Sequence, residues 1–163
     1  MTTGSNSFRV GLGHDTHRFA VGNEIRLGGV SIPFDRGFHA HSDGDVLLHA
    51  VTDALLGAVG YGDIGELFPD TDPANQNRDS AEMLQIVLQR LQADGWSVVN
   101  LDTIIFAEVP RLGPWKEKIK ERLAALLGVP RDCVGVKAKT GESVGFIGRG
   151  EAISTEAIVL LAR

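Results

Sequence analysis

The chain carries a single cysteine, Cys133, which excludes an internal disulfide and any multi-cysteine zinc site. That scarcity fits a reducing compartment, and a cytoplasmic setting is expected. Basic residues are outnumbered, 16 Lys and Arg against 21 Asp and Glu for a net charge of −5, so no stripe for a nucleic-acid duplex is offered. Long apolar runs are missing as well. Ala157 to Ala162 is far too short to span a bilayer, and nothing resembles a secretory signal. Neither nucleic acid nor membrane is therefore an expected partner. The 43% hydrophobic and 23% charged residues that make up the chain are those of an ordinary globular protein. A length of 163 residues leads us to expect one domain over 1–163, with no fused second enzyme and a loose polar tail over 1–7.

What is present is unevenly spread. All five histidines, His14, His17, His39, His41 and His49, fall in the first third of the chain, where aspartates are also dense. Arg9 to Gly13 reads as a short strand entering a polar turn at His14–His17. Ile25 to Ile32, broken by Gly28-Gly29, reads as a second strand or bent hairpin. Ser42 suits a helix N-cap, and Leu47, Leu48, Val51, Ala54, Leu55 and Ala58 give the helix an apolar face that Gly60 and Gly62 can end. Residues 63 to 78 read as a long loop, where function often sits. Asp79 or Ser80 opens a second helix to Leu91. Val98 to Val109 is strand-like, a third helix covers roughly Trp115 to Leu127, and two strands at about 133–140 and 151–162 flank a glycine-rich link. The pattern predicts an α+β fold, a mixed sheet with helices packed on one face. Three such helices cover one side only, so the other face is expected to be buried in a homo-oligomer.

Several constellations could carry chemistry. Asp15 and His17, spaced i, i+2, point the same way and could grip one cation, or simply decorate a surface turn. His49 lies within the first helix between Asp45 and Asp53, either as a histidine satisfied by those carboxylates or as a ligand oriented by one of them. Together Asp15, His17 and His49 form an O/N/N set with one coordination position open, as in a catalytic zinc site. His41 and Ser42 gather at the mouth of that helix, where anions are favoured, though Ser42 could serve as a cap alone. Lys137 to Glu142 and Gly145 to Glu151 could cradle phosphates, without the spacing of a P-loop. His14 and His39 are read as surface residues.

Taken in order, His41-Ser42-Asp43-Gly44-Asp45 through His49 to Ala58, Asp15-Thr16-His17, Gly62-Asp63-Ile64-Gly65, Leu67 to Pro73 and Gly148-Arg149-Gly150-Glu151 resemble one family over nearly all of residues 9 to 162. The chain is similar to the 2-C-methyl-D-erythritol 2,4-cyclodiphosphate synthases of non-mevalonate isoprenoid biosynthesis. That resemblance implies a homotrimer with active sites between subunits and release of CMP from a cytidine diphosphate-type substrate. It implies Zn2+ on Asp15, His17 and His49, and Mg2+ or Mn2+ on Glu142 with the substrate diphosphate. It places Thr16, His41 and Ser42 at the substrate, with His41 and Thr140 aligning the phosphates as catalytic residues. Asp63, Ile64 and Gly65 with Phe68, Pro69, Asp70, Thr71 and Asp72 would close over the sugar alcohol. Ala107, Glu108, Val109, Pro110, Arg111, Leu112 and Gly113, with Lys139, Thr140, Gly141 and Glu142, would form the neighbouring subunit's nucleotide and phosphate pocket. Phe146, Arg149 and Glu151 would line a cavity on the trimer axis, able to hold an isoprenoid diphosphate. Lys139-Thr140-Gly141, Arg111 and Gly113 differ from the commonest family pattern.

Such a reaction suits the residues. The substrate's own phosphate is the nucleophile, so cations and donors are needed rather than a Ser/His/Asp triad. The rivals are a zinc hydrolase recruiting Asp45 or Asp53 as base, and a trimeric binding protein using the axial cavity alone.

Overall fold

The computed structural model describes residues 7–40 and 42–163, so the expected tail over Met1–Asn6, and His41, lie outside the described residues. Five strands form a mixed sheet in the order β4-β1-β7-β5-β6: β1 Phe8–Ala20, β4 Gly37–Phe38, β5 Ser97–Phe106, β6 Val134–Lys139 and β7 Ala152–Ala162. Only β5 and β6 run parallel; β1, β4, β5 and β7 pair antiparallel. A separate hairpin joins β2, Glu24–Leu27, to β3, Val30–Pro33, the second of the two readings that the Gly28-Gly29 break leaves open. Both glycines take positive φ, which is what the two central positions of a hairpin turn of this hand require.

The expected turn at His14–His17 is not a turn. Strand β1 continues through it to Ala20, because β7 pairs with it throughout: His14 with Glu156, Asp15 with Thr155, Thr16 with Ser154, and His17 with Ile153. Local polarity suggests a turn only until a partner strand is present to satisfy the backbone. The i, i+2 geometry of Asp15 and His17 becomes firmer as a result, since alternate residues of a strand share a face.

Three helices of more than two turns lie on one face: α1 Val46–Val59, α3 Ser80–Ala93 and α4 Lys116–Leu127. Two single-turn helices, α2 Ile64–Leu67 and α5 Gly145–Gly148, sit in the connections. The core is the layer between α1 and the sheet, filled by Leu47, Leu55, Leu84, Leu101, Ile105, Ile119, Ile153 and Val159. Ile119 and Leu123 of α4 are buried, and Leu126 is half-buried. Pro114 belongs to a 3₁₀ turn, Gly113–Trp115, just ahead of α4.

Helix α1 begins later than Ser42. Its N-cap is Asp45, because Gly44 sits at φ +78°, a left-handed conformation from which a helix cannot be propagated. Asp45 is fully buried and accepts from three backbone N–H groups: Gly28 at 2.8 Å, Gly29 at 2.6 Å and Leu48 at 3.0 Å. Burial pushes its carboxyl above the ordinary range, and those three donors pull it back. The residue ties the hairpin turn to the start of α1. At the other end Gly60 closes the helix in the left-handed conformation, as expected.

Contact between α1 and β1 is backbone to backbone. A Cβ at Gly11 would lie 1.8 Å from the Ala54 carbonyl oxygen, and one at Gly13 1.9 Å from that of Ala50. No side chain fits there. The two glycines bring the helix flush against the strand, and Asp15 and His17 continue the same face just beyond that contact.

Among the described residues, no helix covers the opposite face of the sheet. Phe8, Val10 and Leu12 of β1 and Ile158 of β7 stand about half or more exposed on it.

Candidate metal centre

Asp15 and His17 reach the site from β1, and His49 meets them from the second turn of α1. Asp15 Oδ2 lies 3.0 Å from His49 Nδ1 and 3.1 Å from His17 Nε2, and the two imidazole centroids are 5.1 Å apart. One ligand atom from each residue falls within 4.8 Å of the others, and all three side chains are half-buried. A tetrahedral ion with bonds near 2.0 Å sets its ligands about 3.3 Å apart, and the two carboxylate–imidazole spacings are already close to that value. The donor types fit zinc: two imidazole nitrogens, one carboxylate and no thiolate.

The nitrogens facing away from the meeting point are also occupied. His17 Nδ1 lies 3.0 Å from the Gly44 carbonyl, which can only accept, so that nitrogen carries the proton and Nε2 faces the site. His49 Nε2 lies 2.9 Å from Ser80 Oγ and 3.1 Å from Ser42 Oγ. Ser80 Oγ donates in turn to Asp43 Oδ1. The carboxylates expected to orient His49 do not do so. Asp45 is drawn away to the hairpin turn, and Asp53 Oδ1 accepts from Ile64 N at 2.7 Å, pinning the start of α2. Sequence reading misses Ser80 and Asp43 as partners of the site, because Ser80 looks like a cap and Asp43 like a helix opener. Only the packing of α3 beside α1 brings them to His49.

Burial works against charge on Asp15, but hydrogen bonds and charge from His17 and His49 outweigh it and hold its carboxyl well below the usual range. Burial likewise opposes charge on His17, and its hydrogen bond to Asp15 overcomes this, raising the imidazole above its ordinary 6.5. Without a cation, His17 satisfies both Gly44 and Asp15 only as imidazolium. Burial also pushes Asp53 up, against the Ile64 N–H bond.

The three ligands open into a cleft of about 270 Å³ lined also by His39, Ser42, Asp53, Ile64, Gly65 and Phe68, with Asp70 from the following loop. His39, read as a plain surface residue, thus belongs to the cleft wall. Asp63 Oδ1 caps α2 through Glu66 N at 2.9 Å, and Asp72 caps a 3₁₀ turn through Ala74 N at 2.9 Å. The Pro69 carbonyl accepts from Asn75 Nδ2 at 3.0 Å, so residues 63–78 form a loop with two capped turns and a cross-bond. Thr71 lines an adjoining cavity with Asp70. Thr16 points the other way, its hydroxyl 2.8 Å from Ser154 Oγ on the helix-free face.

The remaining expected residues form a second cluster where β5 and β6 end side by side. Ala107 N donates to the Lys139 carbonyl at 2.8 Å, and Gly141 N donates to Glu108 Oε2 at 3.0 Å. Thr140 Oγ1 donates to Glu142 Oε1 at 3.1 Å, and Glu142 is exposed with φ +50°. Val109 and Pro110 are half-buried, Leu112 is buried, and Arg111 and Gly113 are exposed around the turn into α4. None of residues 107–113 or 139–142 lines the cleft at Asp15. Phe146 and Arg149 are exposed at α5, with Arg149 paired to Glu151.

The YgbB family pattern matches residues 8–162. A 2-C-methyl-D-erythritol 2,4-cyclodiphosphate synthase from Methylococcus capsulatus is 54% identical over 156 residues, covering 96% of this chain and 99% of its own. One from Gemmatimonas aurantiaca is 53% identical over 145 residues, covering 89% and 87%. A solved 2C-methyl-D-erythritol-2,4-cyclodiphosphate synthase in its CDP-bound form matches with a TM-score of 0.87 at 38% identity, covering 94% of this chain and 99% of its own. A bifunctional protein from Campylobacter jejuni matches with a TM-score of 0.92 at 40% identity over 97% of this chain, which spans 43% of that longer one.

Proposed function

We propose how this site works on the premise that the chain belongs to the YgbB family, the 2-C-methyl-D-erythritol 2,4-cyclodiphosphate synthases, lyases of isoprenoid biosynthesis. The substrate is 4-diphosphocytidyl-2-C-methyl-D-erythritol 2-phosphate. An oxygen of its 2-phosphate attacks the β-phosphorus, the bond from that phosphorus to the bridging oxygen breaks, and CMP leaves with that oxygen. Nucleophile and electrophile belong to one molecule, so holding the substrate folded supplies much of the rate through proximity. No general base is required, because a phosphate oxygen is already ionised at neutral pH.

Asp15, His17 and His49 would hold zinc and Glu142 a magnesium or manganese ion on the diphosphate, and the bound cations would offset phosphate charge and polarise the β-phosphorus. The convergence of Oδ2, Nε2 and Nδ1 on one point carries this reading. Ser42 offers its hydroxyl at the edge of the cleft, and His41 stands beside it in sequence to meet the 2-phosphate. Asp63 and the 68–72 loop cover the sugar alcohol, with the Asp53 carboxylate anchoring the loop through Ile64.

The nucleotide half of the site is incomplete within one protomer. Residues 107–113 and 139–142 form their own cluster away from the cleft, so they serve a neighbouring copy's metal centre, Thr140 among the phosphate contacts. A homotrimer supplies that neighbour and covers the helix-free sheet face. Phe146 and Arg149 then face the axis, where an anionic isoprenoid could sit. A cytoplasmic setting fits the lone cysteine, and no described helix is long and apolar enough to cross a membrane.

Incubation with the cytidyl substrate in water labelled with oxygen-18 tests the reaction. The expected products are CMP and the cyclic diphosphate, neither carrying label. Label incorporated into an opened product would mean that water, rather than the 2-phosphate, is the nucleophile.

A further inference from the structure

The two imidazoles of the metal centre are oriented by different kinds of acceptor. His17 rests on a backbone carbonyl, Gly44, whereas His49 meets a hydroxyl that is itself bonded to a carboxylate. The direction of that chain is fixed by proton counting. A carboxylate oxygen accepts, so the Ser80 hydroxyl spends its one proton on Asp43 Oδ1 and has only lone pairs left for His49. His49 Nε2 must then donate, so Nδ1, which meets Asp15 Oδ2 at 3.0 Å, is the nitrogen whose lone pair is offered to a cation shared with Asp15 and His17.

Asp43 is held for this task on several sides. Its Oδ1 also accepts from Asp45 N at 3.2 Å, and its own N–H donates to the Arg78 carbonyl at 3.2 Å. Its Oδ2 is buried without a hydrogen bond and faces the Arg26 guanidinium at 3.4 Å. Ser80 is 1% exposed, so its hydroxyl is shielded from bulk solvent. Ser42, the other hydroxyl near His49 Nε2, lies at the open cleft and also accepts from Gly44 N at 3.2 Å.

We propose that Ser80 and Asp43 are positioning residues, a hydroxyl-relayed carboxylate that sets the tautomer and orientation of His49 and strengthens it as a cation ligand. This rests on the reading of Asp15, His17 and His49 as ligands. Partners of this kind raise ligand basicity, and their loss typically weakens metal binding about 10- to 100-fold.

The test is zinc affinity, measured by chelator competition on purified wild type, Ser80→Ala and Asp43→Asn, alongside denaturant unfolding of the metal-free forms. Ser80→Ala is expected to bind zinc at least about 10-fold more weakly. Asp43→Asn keeps an oxygen for Ser80 and loses only the charge, so a smaller loss is expected, with an altered visible spectrum of the cobalt-loaded form. Wild-type zinc affinity in Ser80→Ala, with only a lower unfolding midpoint, would reduce the serine to helix packing and overturn the proposal. Should Ser80→Ala not fold, unchanged zinc affinity in Asp43→Asn overturns it equally. Failure of the wild type itself to bind zinc would instead remove the metal reading beneath it.

Discussion

The proton on His17 and a cation compete for the same lone pair, and that competition makes the centre sensitive to pH. In the metal-free protein Asp15 is held below its ordinary 3.8, so its stabilising contribution is complete above that pH and is lost as the pH falls through the folded value. His17 is held above 6.5, so its contribution is complete below 6.5 and is lost as the pH rises through the folded value. The pair therefore supports the metal-free fold best between about pH 4 and 6.5. A zinc ion held as proposed would displace the His17 proton, so the rise in Tm on adding zinc is expected to be larger at pH 8 than at pH 6. An increment that shrinks or stays level over that range would contradict the assignment. His49→Ala removes one of the three proposed ligands and is expected to lower turnover on the order of 100-fold while the circular dichroism spectrum keeps its native form. Asp15, His17 and His49 were legible in the sequence as a candidate set, because two of them are spaced for one face and the third lies on a helix. Ser80 was not, because a serine at a helix start has an ordinary explanation and only tertiary packing reveals a second one.

At the scale of elements, the site depends on how closely α1 approaches β1. Gly11 and Gly13 permit contact with the Ala54 and Ala50 carbonyls, and the next two residues on that face are Asp15 and His17. Gly13→Val is expected to push the helix off the strand, destabilising the fold by about 3 kcal/mol by overpacking. Zinc affinity should fall with it, because His49 moves with α1. Urea unfolding and chelator competition on the same variant check both halves, and a native midpoint would show that the contact can relax. The length of β1 was misread for a related reason: a polar stretch looks like a turn until the eleven-residue β7 pairs along it. The hairpin at Gly28-Gly29, the apolar faces of α1 and α3 and the last two strands were legible, since each follows from periodicity and glycine placement. The start of α1 was not. Asp45 caps it, and its other partners come from a hairpin turn that no local pattern connects to it.

For the whole molecule, the unresolved balance between the two sheet faces is the main physical fact. One face is covered by helices; the other shows Val10 and Leu12 each at 66% exposure in a row with Phe8 and Ile158. A patch of this kind on a single chain calls for a partner surface. On the proposed trimeric assembly, Leu12→Glu is expected to yield monomers in sedimentation velocity and to abolish CMP release, since the proposal draws the nucleotide residues from a neighbour. A trimer that withstands the charge, or a monomer that keeps full turnover, would refute the shared site.

Anomalous diffraction at the zinc absorption edge, from crystals grown with zinc, addresses the metal centre itself. The account predicts a peak about 2.0–2.2 Å from Asp15 Oδ2, His17 Nε2 and His49 Nδ1 together. A map with no peak among those atoms in any copy, or with the strongest peak held by other residues, would contradict it.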